Sequence, residues 1–217
     1  MRAVRFEWMR AVGRPGRLRG LARHTALCLA VGAMVAMGGC ATPYVDNGSR
    51  AIDPAQYQRP ASAHPVQVLF EFQSKGVANS QVTAFLKTRV VDQVRTSGLF
   101  SHVSDQPVDG GALLSITLNN VVLTDDAFSK GFITGLTLGI AGSQVTDGYV
   151  CTARYGEGLG AATLQKEKRH AIHTVLGAGA APANSTKAAS MAEAVYAMTQ
   201  QVLSQVLNEL SSDPQFR

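Results

Sequence analysis

Few residues of this chain could do chemistry, and most of them lack the partners that a reaction requires. His170 and His173 lie three apart in a stretch that alternates like a strand, where an odd spacing places side chains on opposite faces. They could share a metal ion only on a helix. Asp125 and Asp126 are an adjacent acid pair, which in a turn is ordinarily solvated or capping. Ser143 lacks the glycine pattern of a nucleophile elbow. We therefore predict no catalytic residue, no metal site and no enzymatic activity.

The three cysteines have very different surroundings. Cys28 lies in an uncharged N-terminal run, Cys151 lies in an alternating apolar stretch, and Cys40 directly follows Gly38 and Gly39. A small, buried core thiol is the expected role of Cys151, because free cysteine packs as a small apolar residue. Cys40 is the thiol whose local sequence suggests a modification.

The sequence before Cys40 has the organisation of a secretory signal. Residues 1–24 contain seven arginines against the single acid Glu7, and residues 25–37 carry no charge. A basic region followed by an apolar region of this length is typical of a cleaved signal peptide. The alternative is an uncleaved membrane anchor, since the run from Thr25 to Thr42 is 18 residues without a charge. Glycines and Pro43 at its end disfavour a spanning helix.

Met37-Gly38-Gly39-Cys40 resembles the lipobox of bacterial lipoproteins, with Met37 where leucine is usual. The resemblance implies cleavage of residues 1–39, a diacylglycerol on the Cys40 thiol, an acyl chain on its amine and no other cofactor. It also implies anchoring in the outer membrane facing the periplasm, because Ala41 rather than aspartate follows the cysteine; the inner membrane is the alternative. Met9 is an alternative start that preserves these features.

Cleavage changes the charge of the protein. The precursor has a formal charge of +5, but residues 1–39 hold seven of its 20 basic residues and one of its 15 acidic residues, so the mature chain is close to −1. Nucleic-acid binding requires a clustered cationic surface and is therefore not expected. The remaining basic cluster, Lys166, Lys168 and Arg169, is interrupted by Glu167 and is interpreted as a solvated strand face.

Residues 40–65 are predicted to be the lipidated N-terminus and a flexible tether. The segment contains four prolines among small and polar residues and shows no helical or strand periodicity. The alternative is that part of it packs on the domain through Tyr44, Ile52 and Tyr57. Residues 66–217 are predicted to form a single α+β domain.

The elements of that domain follow from periodicity. Residues 66–73 alternate as a half-buried strand, and a helix capped by Asn79 or Ser80 carries an apolar stripe before it ends at Gly98. A short strand over 99–104 suggests a parallel βαβ start. A strand from Leu114 and a hairpin of residues 145–155 and 163–176 follow, and Asn184 or Ser185 is expected to cap a terminal helix. The helix stripes predicted to face inward are Val82, Phe85, Leu86, Val90 and Val94, and Met191, Val195, Met198, Val202, Val206 and Leu210. The prediction is a mixed sheet of four to five strands with two helices on one face, in the order β-α-β-β-β-β-α.

This element order resembles small Gram-negative envelope lipoproteins, among them the lipopolysaccharide-assembly lipoprotein and the auxiliary lipoproteins of lipid-trafficking ABC transporters. The helix exit Ser97-Gly98-Leu99-Phe100 is similar to theirs. The resemblance implies a non-enzymatic structural or interaction role as an accessory subunit of an envelope transport or assembly system, with an envelope protein partner. The alternative is a module that binds a lipid or small apolar ligand, with Met191, Met198, Tyr149 and Tyr155 as wall residues.

A glycine repeat lies between the third strand and the hairpin. Gly131, Gly135 and Gly139 recur every four residues and would form a bare stripe on a helix. Such a stripe allows another backbone to approach closely, although about twelve residues are too few to cross a bilayer. The alternative is an apolar connector folded over the sheet. The candidate residues for partner or membrane contact are Gly131, Phe132, Gly135, Leu136, Gly139 and Ile140.

Overall fold

The computed structural model describes residues 41–121, 123, 144–157 and 163–216. These residues contain eight strands and two α-helices. The strands are β1 Ala41–Asp46, β2 Pro65–Ser74, β3 Val77–Ala78, β4 His102–Ser104, β5 Ala112–Val121, β6 Gln144–Gly156, β7 Leu164–Leu176 and β8 Ser185–Lys187. The helices are α1 Ser80–Thr96 and α2 Met191–Ser211, and a 3-10 helix spans Pro54–Gln56.

The strands form one mixed sheet. Its order is β3-β2-β5-β6-β7-β1-β8, and β4 pairs with β2 beside this path. Strand β2 pairs in parallel with β4 and β5, whereas the β5–β6, β6–β7 and β7–β1 pairs are antiparallel. The predicted α+β class with a mixed sheet and two helices is confirmed.

The predicted number of strands is wrong, since the sheet has eight rather than four to five. Strands β3 and β8 contain two and three residues, too few to show an alternation of apolar side chains. Strand β1 contains Pro43, a residue that ordinarily argues against a strand inside a sheet. Strand β8 pairs with β1 only from Tyr44 to Asp46, so the absent N–H of Pro43 breaks no ladder bond to β8.

The prediction of a flexible tether is also corrected. Residues 41–46 form β1, which contains Tyr44, the 3-10 helix follows, and Tyr57 is only 5% exposed. The Tyr57 hydroxyl donates a hydrogen bond to the Ser204 carbonyl at 3.0 Å, and the Ile52 amide donates to the Ser204 hydroxyl at 2.9 Å. Part of the predicted tether therefore packs on the domain, as the alternative through Tyr44, Ile52 and Tyr57 proposed.

A single apolar core lies between the sheet and the two helices. Alternate residues of β2, β5 and β6 are buried: Val66, Val68, Phe70 and Phe72; Ala112, Leu114, Ile116 and Leu118; Tyr149, Cys151, Ala153 and Tyr155. The helices contribute Leu86, Val90 and Val94 from α1 and Met198, Val202, Val206 and Leu210 from α2 to the same cluster. Phe85 and Met191 were predicted to face inward but are exposed. Phe85 instead stacks on Tyr196 with ring centroids 4.6 Å apart.

Helix α2 begins later than predicted. Its N-cap is Ser190, whose hydroxyl accepts a hydrogen bond from the Glu193 amide at 3.2 Å. Asn184 and Ser185 do not cap it, because Ser185 to Lys187 pair with β1 as strand β8. Several polar residues precede the helix, so only the sheet contact decides which of them is the cap.

The ends of α1 match the prediction. The Asn79 side chain accepts a hydrogen bond from the Val82 amide at 3.1 Å, which caps the helix. Gly98 follows the last turn with φ +69°, and Leu99 is fully buried behind it. This is the left-handed residue that commonly ends a helix.

We predict that Gly98→Ala lowers the free energy of unfolding by about 1–2 kcal/mol, the cost of left-handed backbone for an alanine. An added Cβ would also lie 2.1 Å from the Arg59 guanidinium, which hydrogen-bonds the Ser97 carbonyl. Gly76→Ala is the matched control, because Gly76 has φ +79° but nothing within 4 Å of an added Cβ. Urea unfolding should show the larger loss for Gly98→Ala; equal losses would show that the Arg59 contact contributes nothing.

Candidate functional site

The predicted site residues lie outside the residues that the structure describes. These are the proposed lipidation site Cys40 and the six candidate contact residues Gly131, Phe132, Gly135, Leu136, Gly139 and Ile140. The structure does describe the strand residues on both sides of them. Ala41 follows Cys40 directly, and the strands ending at Val121 and beginning at Gln144 flank the glycine repeat.

These flanking residues meet at one end of the sheet. Ala41 is paired with Leu176, Gln144 is paired with Val175, and Val121 is four residues further along the ladder, opposite Gly148. We call the ends of β1, β6 and β7, residues 41–43, 144–146 and 174–176, the anchor end. Sequence periodicity predicted β6 and β7 as a hairpin, but it missed β1 and therefore could not show that Ala41 lies beside them.

The anchor end has two exposed apolar side chains among threonines and a glutamine, and the exposed Lys187 on β8 is paired with Tyr44 just beyond it. Val145 is 51% exposed and Leu176 is 45% exposed. No aspartate, glutamate, lysine or arginine occurs in residues 41–45, 144–146 or 170–186. The loop that leaves β7 has the sequence Gly-Ala-Gly-Ala-Ala-Pro over residues 177–182.

A buried polar cluster lies beside the anchor end. His173 is fully buried, its Nδ1 is 2.9 Å from the Thr146 hydroxyl, and its Nε2 is 3.5 Å from the Asp46 carboxylate. The carboxylate can only accept, so the arrangement fits Nε2–H donating to Asp46 while Nδ1 accepts from Thr146. Gly48 donates its amide to the other Asp46 oxygen at 2.6 Å. This cluster resembles an acid–histidine–hydroxyl triad in composition, but its histidine has no solvent access for a substrate.

The stabilisation that this cluster contributes depends on pH through the ionisation of Asp46. Burial raises its pKa, but the hydrogen bonds from His173 and Gly48 and the attraction of the imidazoles of His173 and His170 outweigh burial, so the pKa of Asp46 lies below its ordinary value. A carboxyl with a lowered pKa stabilises the fold above its unfolded pKa, about 3.9, and loses that contribution as the pH falls through its folded pKa.

We predict that Asp46→Asn lowers the free energy of unfolding at pH 7 by about 1–3 kcal/mol, because buried donors lose an acceptor. The difference from wild type should shrink when urea unfolding is repeated at successively lower pH below the ordinary carboxyl pKa of about 3.9, as the pH falls through the lowered pKa of Asp46. Asp109→Asn, in an exposed loop, is the control and should change little at any of these pH values. An Asp46→Asn effect of the same size at every pH would show that the carboxylate charge is not what stabilises the cluster.

The two histidines face opposite sides of β7, as their odd spacing predicted. The His170 Nδ1 accepts a hydrogen bond from the Ala171 amide at 2.8 Å, and its Nε2 is 2.7 Å from the Gln201 side-chain oxygen on α2. His173 lies instead against β1 and β6. Across the described ranges, no three metal-ligating side chains lie close enough together to bind an ion.

The Cys151 thiol is buried, and the basic side chains on β7 are paired with acidic side chains. Burial raises the pKa of the Cys151 thiol to about 12, which keeps it in the unreactive thiol form. Lys166 pairs with Asp213 at 2.7 Å, Lys168 pairs with Glu209, and Arg169 pairs with Glu167 at 3.0 Å. The first two ion pairs join β7 to α2 and its C-terminal end. The basic cluster is therefore neutralised by acids rather than arranged as a cationic surface.

An open groove of about 660 Å³ lies between α1 and α2. Most of the residues that line it have polar or charged side chains, although apolar atoms form the larger part of its wall, and the Arg89 guanidinium lies 3.7 Å from the Tyr196 ring centre. None of the four residues expected to line an apolar ligand cavity lines this groove: Met198, Tyr149 and Tyr155 belong to the packed core, and Met191 is exposed.

The fold is that of an α+β domain in which two helices cover a mixed sheet. No family model and no curated protein matches the chain. Among solved structures, it is similar to the PelC dodecamer from Paraburkholderia phytofirmans, at 11% identity over 80% of this chain and 99% of that chain, with a TM-score of 0.34. A point variant of that dodecamer matches at 12% identity over 78% and 97%, also with a TM-score of 0.34. With identities of 11% and 12% and TM-scores of 0.34, this likeness does not show that the chain shares the assembly, the partners or the function of PelC. None of the helices in the described ranges is both long and apolar enough to cross a bilayer.

Proposed function

We propose that this protein is a lipoprotein of the Gram-negative envelope, anchored through acyl chains on Cys40 and facing the periplasm. The outer membrane is the proposed location, because Ala41 follows the cysteine, with the inner membrane as the alternative. The role is non-enzymatic: the domain acts by structural contact with an envelope protein, as an accessory subunit of a transport or assembly system.

The local sequence at Cys40 is the observation that carries the proposal. Met37-Gly38-Gly39-Cys40 follows a basic region and an uncharged apolar run, which is the order of a lipoprotein signal. Ala41, the first residue that the structure describes, is paired with Leu176, so the proposed attachment point adjoins the sheet.

The absence of reaction machinery in the described ranges directs the proposal towards binding rather than catalysis. His173 contacts Asp46, Thr146 and Gln144, and His170 contacts the Ser49 carbonyl and the Gln201 side chain. The basic residues of β7 are paired with acids, which favours a protein or membrane partner over nucleic acid.

The glycine repeat is the proposed contact segment. In the sequence it lies between the end of β5 at Val121 and the start of β6 at Gln144. We expect the double variant Gly135→Leu and Gly139→Leu to lose the protein crosslinks that the wild type forms in intact cells, because leucine prevents close backbone approach. Leu113→Gln, on an exposed strand position, is the control and should keep them.

The crosslinking experiment has a clear contrary outcome. Unchanged crosslinks, localisation and membrane extraction in the double variant would exclude this segment as the contact. Native mass spectrometry of the detergent-extracted protein then distinguishes the two functional classes, since a co-purifying polypeptide supports the subunit and a co-purifying lipid supports a ligand-binding module.

A further inference from the structure

We propose that the anchor end of the sheet lies directly against the bilayer surface, with Val145 and Leu176 in the lipid headgroup region. This rests on the proposed lipidation of Cys40 and adds to it an orientation of the domain. The occupant of this surface is thus the membrane that holds the acyl chains, and not a second protein.

The number of residues between Cys40 and the sheet limits how far the domain can lie from the membrane. A flexible segment of 25 residues would extend to roughly 80 Å at about 3.3 Å per residue and would let the domain face any direction. Instead, Ala41 is held in the sheet by pairing with Leu176, and consecutive Cα atoms are about 3.8 Å apart. One peptide unit therefore separates the acylated residue from the fold, which places the start of β1 at the lipid surface.

The register of the strands determines which other residues lie beside Ala41. Leu176 is level with Ala41, and Gln144 is level with Val175 on the neighbouring pair. Since adjacent strands are about 4.8 Å apart, the ends of β1, β7 and β6 lie within about 10 Å of one another. Val145 and Leu176, both about half exposed, are thus close to the anchoring point.

The charge distribution matches a lipid surface at this end of the sheet. Burying a charge among lipid headgroups and acyl chains is costly, and the anchor end with its Gly-Ala loop contains none. The opposite end of the same strands carries Arg154, Glu157 and the Lys166–Asp213 pair. Exposed apolar side chains can insert into the boundary between headgroups and acyl chains, and the exposed Lys187, opposite Tyr44 on β8, lies beside this end of the sheet.

The test places a fluorescent probe at each end of the sheet. Val145→Cys, Leu176→Cys and the control Leu113→Cys are made in the full chain, labelled with a thiol-reactive environment-sensitive dye, and reconstituted into vesicles of phosphatidylethanolamine and phosphatidylglycerol. Leu113 matches Leu176 in exposure, 41% against 45%, and is paired with Gly156 at the opposite end. Cys151 is buried and should not react.

We expect spin-labelled lipid to quench the probes at positions 145 and 176 several-fold more than the probe at 113. Equal quenching at all three positions in vesicle-bound protein overturns the orientation. If the wild type neither incorporates labelled palmitate nor floats with the vesicles, the proposed lipidation fails instead. Should a cysteine variant not fold, hydrogen exchange decides: amides of the 177–182 loop should exchange more slowly in vesicle-bound wild type than in soluble Cys40→Ala protein, and unchanged exchange overturns the orientation.

Discussion

Cys40→Ala is expected to move the protein from the membrane fraction to the soluble fraction or to leave it as an unprocessed precursor, and to abolish incorporation of labelled palmitate. The physical reason is that acyl chains contribute about 0.8 kcal/mol per buried methylene, and two or more chains make a stable anchor. Without the thiol there is no site for the diacylglycerol. Fractionation, gel mobility and palmitate labelling measure the three consequences separately.

Cys28→Ala is the matched control for this experiment. It removes the same kind of side chain from the N-terminal apolar run, and the lipobox interpretation predicts that lipidation and fractionation remain as in the wild type. Palmitate in the Cys40→Ala protein would contradict the interpretation, as would a wild-type protein that retains residues 1–39.

Tyr57→Ala is expected to lower the free energy of unfolding by about 3–5 kcal/mol, the range for removing a buried aromatic ring. The ring is 5% exposed, and its hydroxyl donates to the Ser204 carbonyl of α2. Burial and the charge of Asp53 outweigh the opposing effect of Arg59 and raise the pKa of Tyr57 to about 12, so the hydroxyl remains a donor at neutral pH. Urea unfolding of the soluble Cys40→Ala form measures the change.

Tyr57→Phe separates the ring from its hydrogen bond. It should lose about 1 kcal/mol, because the Ser204 carbonyl loses a donor while the packing remains. A loss below about 0.5 kcal/mol for Tyr57→Ala would instead be the result for a residue in a solvated tether. The pair of variants therefore tests whether residues 41–65 belong to the domain.

The long periodic elements were predictable because their side chains repeat over enough residues. Strand β2, helix α1 with its Asn79 cap and Gly98 exit, and the β6–β7 hairpin occur where periodicity placed them. Strands β1 and β8 were missed, because proline and a length of three residues hide the alternation and only pairing with β7 and with each other makes them strands. The same missed pairing explains why the start of α2 was misplaced.

For the candidate site, the sequence alone shows the resemblance of Met37-Gly38-Gly39-Cys40 to a lipobox, which predicts acylation of Cys40, and an odd spacing that places His170 and His173 on opposite faces of a strand. Both inferences depend on local sequence, over a few consecutive residues. Only the tertiary structure brings Ala41, Gln144 and Leu176 together, since they are far apart in the chain and meet through antiparallel register. That register places the residue after Cys40 level with the last residue of β7, so the segment that periodicity left without structure begins as a strand.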